Sequence, residues 1–125
     1  MLAFLKFYEW VSLHDYEGRP LREGEPETKI QIAFEPKDGG PLFGACLHDD
    51  WEPAGGGAAL RSFALMTDDP PPEVARAGHD RSPILLKPEN VPVWATPEGR
   101  GSEEIQRVLT DTMNPGYSTR VIAAA

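Results

Sequence analysis

Lys29-Ile30-Gln31-Ile32-Ala33-Phe34 alternates without a break: Ile30, Ile32 and Phe34 point one way, Lys29, Gln31 and Ala33 the other. Only an extended strand has that period of two, so this is a half-buried β-strand. Upstream, residues 4–13 are aromatic and aliphatic, and in extended form they place Phe7, Glu9 and Val11 on one face and Tyr8 and Trp10 on the other. Between these strands, Gly18, Pro20, Gly24 and Pro26 stand among many charges and mark residues 14–27 as an exposed loop. Downstream, Pro36-Lys37-Asp38-Gly39-Gly40 has the composition of a turn joining antiparallel strands, with residues 42–47 expected as the partner strand. The small residues Gly44 and Ala45 in it suggest close approach by a neighbour. After the Pro53-Ala54-Gly55-Gly56-Gly57 loop, the continuous apolar run Phe63-Ala64-Leu65-Met66 within residues 60–67 predicts a central strand covered on both faces.

The second half is punctuated by helix signals. Asp69 is a candidate N-cap before Pro70 and Pro71, with Glu73 near the positive end and Gly78 as the residue that ends the helix. Residues 82–86 read as a short strand, and residues 89–95 as a helical turn carrying Trp94. Ser102 caps a second helix in which Ile105, Val108, Leu109 and Met113 recur at helical spacing, stopped by Asn114-Pro115-Gly116. Residues 117–122 form a last strand. The sum is a strand-dominated α+β domain of about five to six mostly antiparallel strands with two short helices.

Composition narrows the function. At 125 residues, 40% apolar and 26% charged, the chain reads as one soluble globular domain. Its 13 prolines and 12 glycines exceed average usage and imply many turns. The net charge of −8 repels phosphate, which argues against non-specific coating of nucleic acid and requires a locally basic contact for any DNA binding. A single cysteine, Cys46, excludes an internal disulfide and fits a reducing, cytoplasmic setting. The apolar start Met1-Leu2-Ala3-Phe4-Leu5 is too short for a signal sequence, and no run spans a bilayer. His48-Asp49-Asp50 and His14-Asp15 lack the spacing of a metal motif, and no cofactor is expected.

Chemistry concentrates in Gly78-His79-Asp80-Arg81-Ser82-Pro83 and in Glu9 on its aromatic strand. A histidine at an element boundary and a carboxylate on an apolar strand, brought together, would move protons near neutral pH. Taken singly, the glutamate reads as a solvent-facing charge and the histidine as a partner of the helix C-terminus. Trp10, Trp51 and Trp94 suit packing or base stacking.

Four segments in order carry a resemblance: Phe7-Tyr8-Glu9-Trp10; Gly40-Pro41-Leu42-Phe43-Gly44-Ala45-Cys46-Leu47; Phe63-Ala64-Leu65-Met66-Thr67; and Gly78-His79-Asp80-Arg81-Ser82-Pro83-Ile84-Leu85-Leu86. Their order and spacing resemble the SOS-response-associated peptidase (SRAP) family. The resemblance implies part of a β-rich, barrel-like domain that recognises an abasic site in single-stranded DNA. In that family an N-terminal cysteine, exposed by removal of the initiator Met, forms a thiazolidine cross-link with the ring-opened sugar. Glu9 then matches the glutamate that takes a proton from the cysteine α-amine, and His79 the histidine that assists ring opening. Arg81 suits a phosphate contact and Trp10 a DNA contact. The sequence departs from the pattern at Leu2, where the family has its cysteine, and internal Cys46 has no free α-amine.

The expectation is therefore one domain over residues 1–125, truncated to the C-terminal part of the family fold and incomplete as a cross-linking enzyme. A homodimer or a completing chain would cover strands left unpaired. The alternative is a degenerate, non-catalytic domain acting as a binding or interaction module.

Overall fold

The computed structural model describes residues 1–125. In chain order the elements are β1 (Leu2–Phe4), β2 (Phe7–Ser12), α1 (Leu13–Tyr16), β3 (Lys29–Pro36), β4 (Leu42–Gly44), β5 (Cys46–Trp51), β6 (Leu60–Leu65), β7 (Thr67–Asp68), α2 (Pro72–Arg76) and β8 (Ser82–Pro83). A 3-10 turn (Pro88–Asn90), α3 (Val91–Ala95), α4 (Ser102–Thr110) and β9 (Tyr117–Ala124) complete them. The hydrogen-bonded orders are β1-β4, β2-β3-β9, β5-β6 and β7-β8. The fold is strand-rich α+β, but these separate ladders do not close into a barrel, and four α-helices replace the two expected. The chain divides into two compact units.

One unit comprises Phe4–Leu42, Thr67–Ser82 and Asn114–Ala125. Its centre is β3, with β2 on one edge (Glu9 opposite Ile32, Phe7 opposite Phe34) and β9 on the other (Phe34 opposite Thr119), both antiparallel. Ile30, Ile32 and Phe34 are buried as their alternation requires. Ala33, on the opposite face, is buried as well, so β3 is enclosed on both sides. Phe7 stacks on Phe34 at 4.9 Å between ring centroids, and Tyr117 meets both rings edge-on at 5.3 and 6.2 Å. Phe34, fully buried, contributes about 1.5–3 kcal/mol by leaving water. The same burial, with Glu73 nearby, pushes the Tyr117 hydroxyl up to about 12.

One sequence expectation fails at β3. The turn at Pro36 forms, with the Gly39 N–H donated to the Pro36 carbonyl at 3.0 Å, but it does not create a hairpin. Both edges of β3 are already taken by β2 and β9, so β4 pairs with β1 instead. The exposed loop of residues 14–27 is also more ordered than its composition implies. It opens with α1 and is held by the Arg19 guanidinium, which donates to both Glu25 carboxylate oxygens at 2.6 and 2.8 Å.

The second unit comprises Met1–Ala3, Phe43–Met66 and Pro83–Met113. Ala45, Leu86 and Val108 are its buried centre, with Phe43, Met66, Ile84, Val91, Trp94 and Leu109 packed around them. The small side chain at Ala45 lets two backbones close in: its N–H is donated to the Ile84 carbonyl at 3.0 Å, and its carbonyl accepts the Met66 N–H at 2.8 Å. The expected central strand is here an exposed one. Strand β6 pairs only with β5, leaving Leu60 60% and Phe63 66% exposed. An apolar run states what a strand is made of, not whether anything lies over it.

Helix boundaries also shift. In α2, Pro71 rather than Asp69 occupies the N-cap, with Pro72 at the first helical position, where its missing N–H costs nothing. In α4, Gly101 precedes the first turn and the helix ends at Thr110, short of Asn114-Pro115-Gly116.

Candidate active site

Strand β2 carries Glu9 on the same face as Phe7 and Val11, which alternation and the buried cross-strand partner Ile32 direct inward. His79 arrives from the end of α2. There Gly78, at φ +89°, takes the left-handed conformation that ends the helix, and the His79 N–H is donated to the Val74 carbonyl at 3.3 Å. The reversal brings His79 Nε2 within 3.1 Å of Glu9 Oε2, with side chains 21% and 31% exposed.

The other ring nitrogen determines the proton inventory. His79 Nδ1 lies 2.8 Å from the Arg81 carbonyl oxygen, which can only accept, so Nδ1 carries a hydrogen and donates it. The Arg81 N–H, 3.3 Å from Nδ1, is the longer contact and incompatible with that tautomer. Nε2 and a bare carboxylate would both be acceptors facing each other at 3.1 Å unless a proton lies between them. Glu9 and His79 therefore hold one proton in common, the arrangement a proton-transfer pair needs.

Burial raises the Glu9 carboxyl above its ordinary 4.5; the His79 charge pulls it back and Asp80 pushes it further up. Folded Glu9 thus binds its proton more tightly than unfolded Glu9. Its contribution to stability is fully present below pH 4.5 and declines as pH rises through the raised value. Replacing it with a permanently neutral amide, Glu9→Gln, removes that decline. The stability of Glu9→Gln relative to wild type should rise with pH above 4.5 in a urea-unfolding series; a difference that stays flat would contradict the assignment.

The remaining predicted residues are placed differently. Arg81 is exposed, and its guanidinium is drawn onto Thr67, with Nη2 donating to the Thr67 carbonyl at 2.8 Å and Nε to Oγ1 at 3.2 Å. Trp10 sits on the face of β2 opposite Glu9 and is 47% exposed, so it does not share the pocket of the pair. Thr67 and Asp80 were not singled out by sequence reasoning, although both stand inside the quoted segments: one anchors Arg81, the other acts on Glu9. His14 meets Asp15 at 3.4 Å, and no group of three His, Cys, Asp or Glu side chains is placed to hold a metal ion. No helix is long and apolar enough to cross a membrane.

The family model described as SOS response associated peptidase (SRAP) matches residues 2–124. The chain belongs to the SRAP family. Among similar proteins are the abasic site processing protein YoqW of Bacillus subtilis (strain 168) and its namesake in Bacillus phage SPbeta, each 27% identical over 103 residues that cover 82% of this chain and 40% of the relative. Another is the abasic site processing protein YobE of Bacillus subtilis (strain 168), 28% identical over 103 residues, covering 82% of this chain and 41% of YobE. This SRAP chain thus spans about 40% of the length of the relatives it matches.

Proposed function

We propose that this SRAP-family chain supplies the acid-base part of a centre that processes abasic sites in single-stranded DNA. The observation that carries the proposal is the 3.1 Å contact between Glu9 and His79 with a single proton between them. An abasic sugar is a closed hemiacetal that must open before any amine can attack it. His79 donates its Nε2 proton to the ring oxygen as the bond from C1′ to that oxygen breaks. Glu9 takes the proton from the anomeric hydroxyl as the C1′ carbonyl forms. One proton is given and one is taken, and the pair is left ready to reverse the exchange.

Arg81 provides the positive charge that a chain of net charge −8 needs at a phosphate, and Trp10 provides a face on which a neighbouring base stacks. Covalent capture needs a cysteine with a free α-amine, and the single cysteine in these residues, Cys46, is internal. A completing polypeptide supplies the cysteine in this proposal, so these residues alone form no thiazolidine.

The test supplies the nucleophile in solution. An oligodeoxynucleotide with one abasic site is incubated with free cysteine, which forms a thiazolidine with the opened sugar, in the presence and absence of the chain. The chain should accelerate formation of the adduct. A covalent protein–DNA adduct without added cysteine would contradict the absence of a nucleophile.

A further inference from the structure

We infer that the cavity between β5 and the α3–α4 connection is a binding site for a planar heterocycle with two adjacent N–H donors, guanine being the natural example. The cavity measures about 330 Å³ and is lined by Cys46, His48, Trp94, Pro97, Glu98 and Ile105 among others, all within one compact unit. That volume is at the lower end for small-molecule sites, and its mostly apolar wall with a few polar groups is typical of them.

Trp94, near the end of α3, packs against the Ala45, Leu86 and Val108 cluster, so its ring is held from behind as a stacking surface. Cys46 and His48 stand two residues apart on β5 and so share a face. The Cys46 thiol is turned to the Gly44 carbonyl at 3.7 Å and serves as an apolar liner.

In this unit Arg61 pairs with Asp50, Lys87 with Asp111 and Arg100 with Glu104, while several exposed charges make no pair. Glu98 and His48 have no such side-chain partner, and both line the cavity. An ionised carboxylate offers two parallel acceptors. Guanine presents two adjacent donors, N1–H and the N2 amino group, that match them, and its O6 can accept from an imidazole N–H. Adenine and cytosine place an acceptor beside their amino group, which the second carboxylate oxygen repels.

Guanosine titrated into the full chain by calorimetry and tryptophan fluorescence is expected to bind saturably. Inosine, which lacks the N2 amino group, and adenosine should bind about tenfold more weakly or worse, the discrimination a bidentate contact gives. Glu98→Gln should weaken guanosine binding by a similar factor; Glu98 is exposed, so the variant retains the fold. Trp94→Phe should remove the fluorescence change. Oligo-dG bound more tightly than oligo-dT would assign the guanine to a DNA strand, and guanosine binding without that preference to a free nucleotide. No saturable binding at millimolar guanosine, equal binding of adenosine, or an undiminished Glu98→Gln would overturn the site. Since no abasic sugar is involved, failure here is separate from failure of the proposed acid-base centre.

Discussion

Phe34→Ala is expected to destabilise the chain by about 3–5 kcal/mol, the cost of removing a fully buried aromatic side chain and leaving its cavity. Phe34 has no exposed surface, stacks on Phe7 and meets Tyr117 edge-on, so its removal leaves a cavity inside the aromatic cluster. It also joins the three strands of the central sheet, being paired with Phe7 on β2 and Thr119 on β9. Since domains of this size retain about 5–15 kcal/mol in all, the loss should bring the chain near its unfolding threshold. Urea unfolding read by circular dichroism measures it. A loss under about 1 kcal/mol, the range of well-tolerated core changes, would mean that the aromatic cluster is not the centre of this unit.

Gly78→Ala should be the next most damaging change, and it reaches the site. Gly78 has φ +89°, where a side chain costs about 1–3 kcal/mol. An added Cβ would also stand 2.8 Å from the Asp15 Cβ and 3.4 Å from the Asp15 carbonyl carbon, so α1 and the end of α2 would have to separate. Gly18 is the control: its φ is +66°, but a Cβ there meets nothing within 4 Å. Gly18→Ala bears the backbone cost alone, and Gly78→Ala should lose clearly more. Because His79 follows directly, Gly78→Ala should also break the contact with Glu9; with the downward pull of the His79 charge gone and burial still raising the carboxyl, the decline of stability above pH 4.5 should steepen. Equal losses in the two variants would show that the close approach of Asp15 is not a constraint.

What could be read in advance follows from how local each cause is. The alternation of residues 29–34 holds in β3, and so does the separation of Glu9 from Trp10 onto opposite faces of β2, because a period of two is a property of the strand alone. Gly78 at the end of α2 was legible for the same reason. Pairing was not. The turn residues after Pro36 show that the chain reverses, but β3 was closed by β9, which no local feature announces. The exposure of Leu60 and Phe63 was equally hidden, since apolar residues attract a cover without naming one. The barrel came with the family resemblance, not from the residues, and the strand pairing does not close one. Glu9 and His79 were legible as an acid and a base; their 3.1 Å contact depends on how α2 and β2 are packed in the folded unit.

The rate at which free cysteine forms its thiazolidine on abasic single-stranded DNA, compared among wild type, Glu9→Gln and His79→Ala, tests the acid-base pair most directly. Positioned proton transfer is worth about 10²–10⁴-fold. Wild type should therefore accelerate the reaction, and each variant should return it toward the rate of cysteine alone while remaining folded by circular dichroism. Acceleration undiminished in His79→Ala, or none by wild type, would contradict the account.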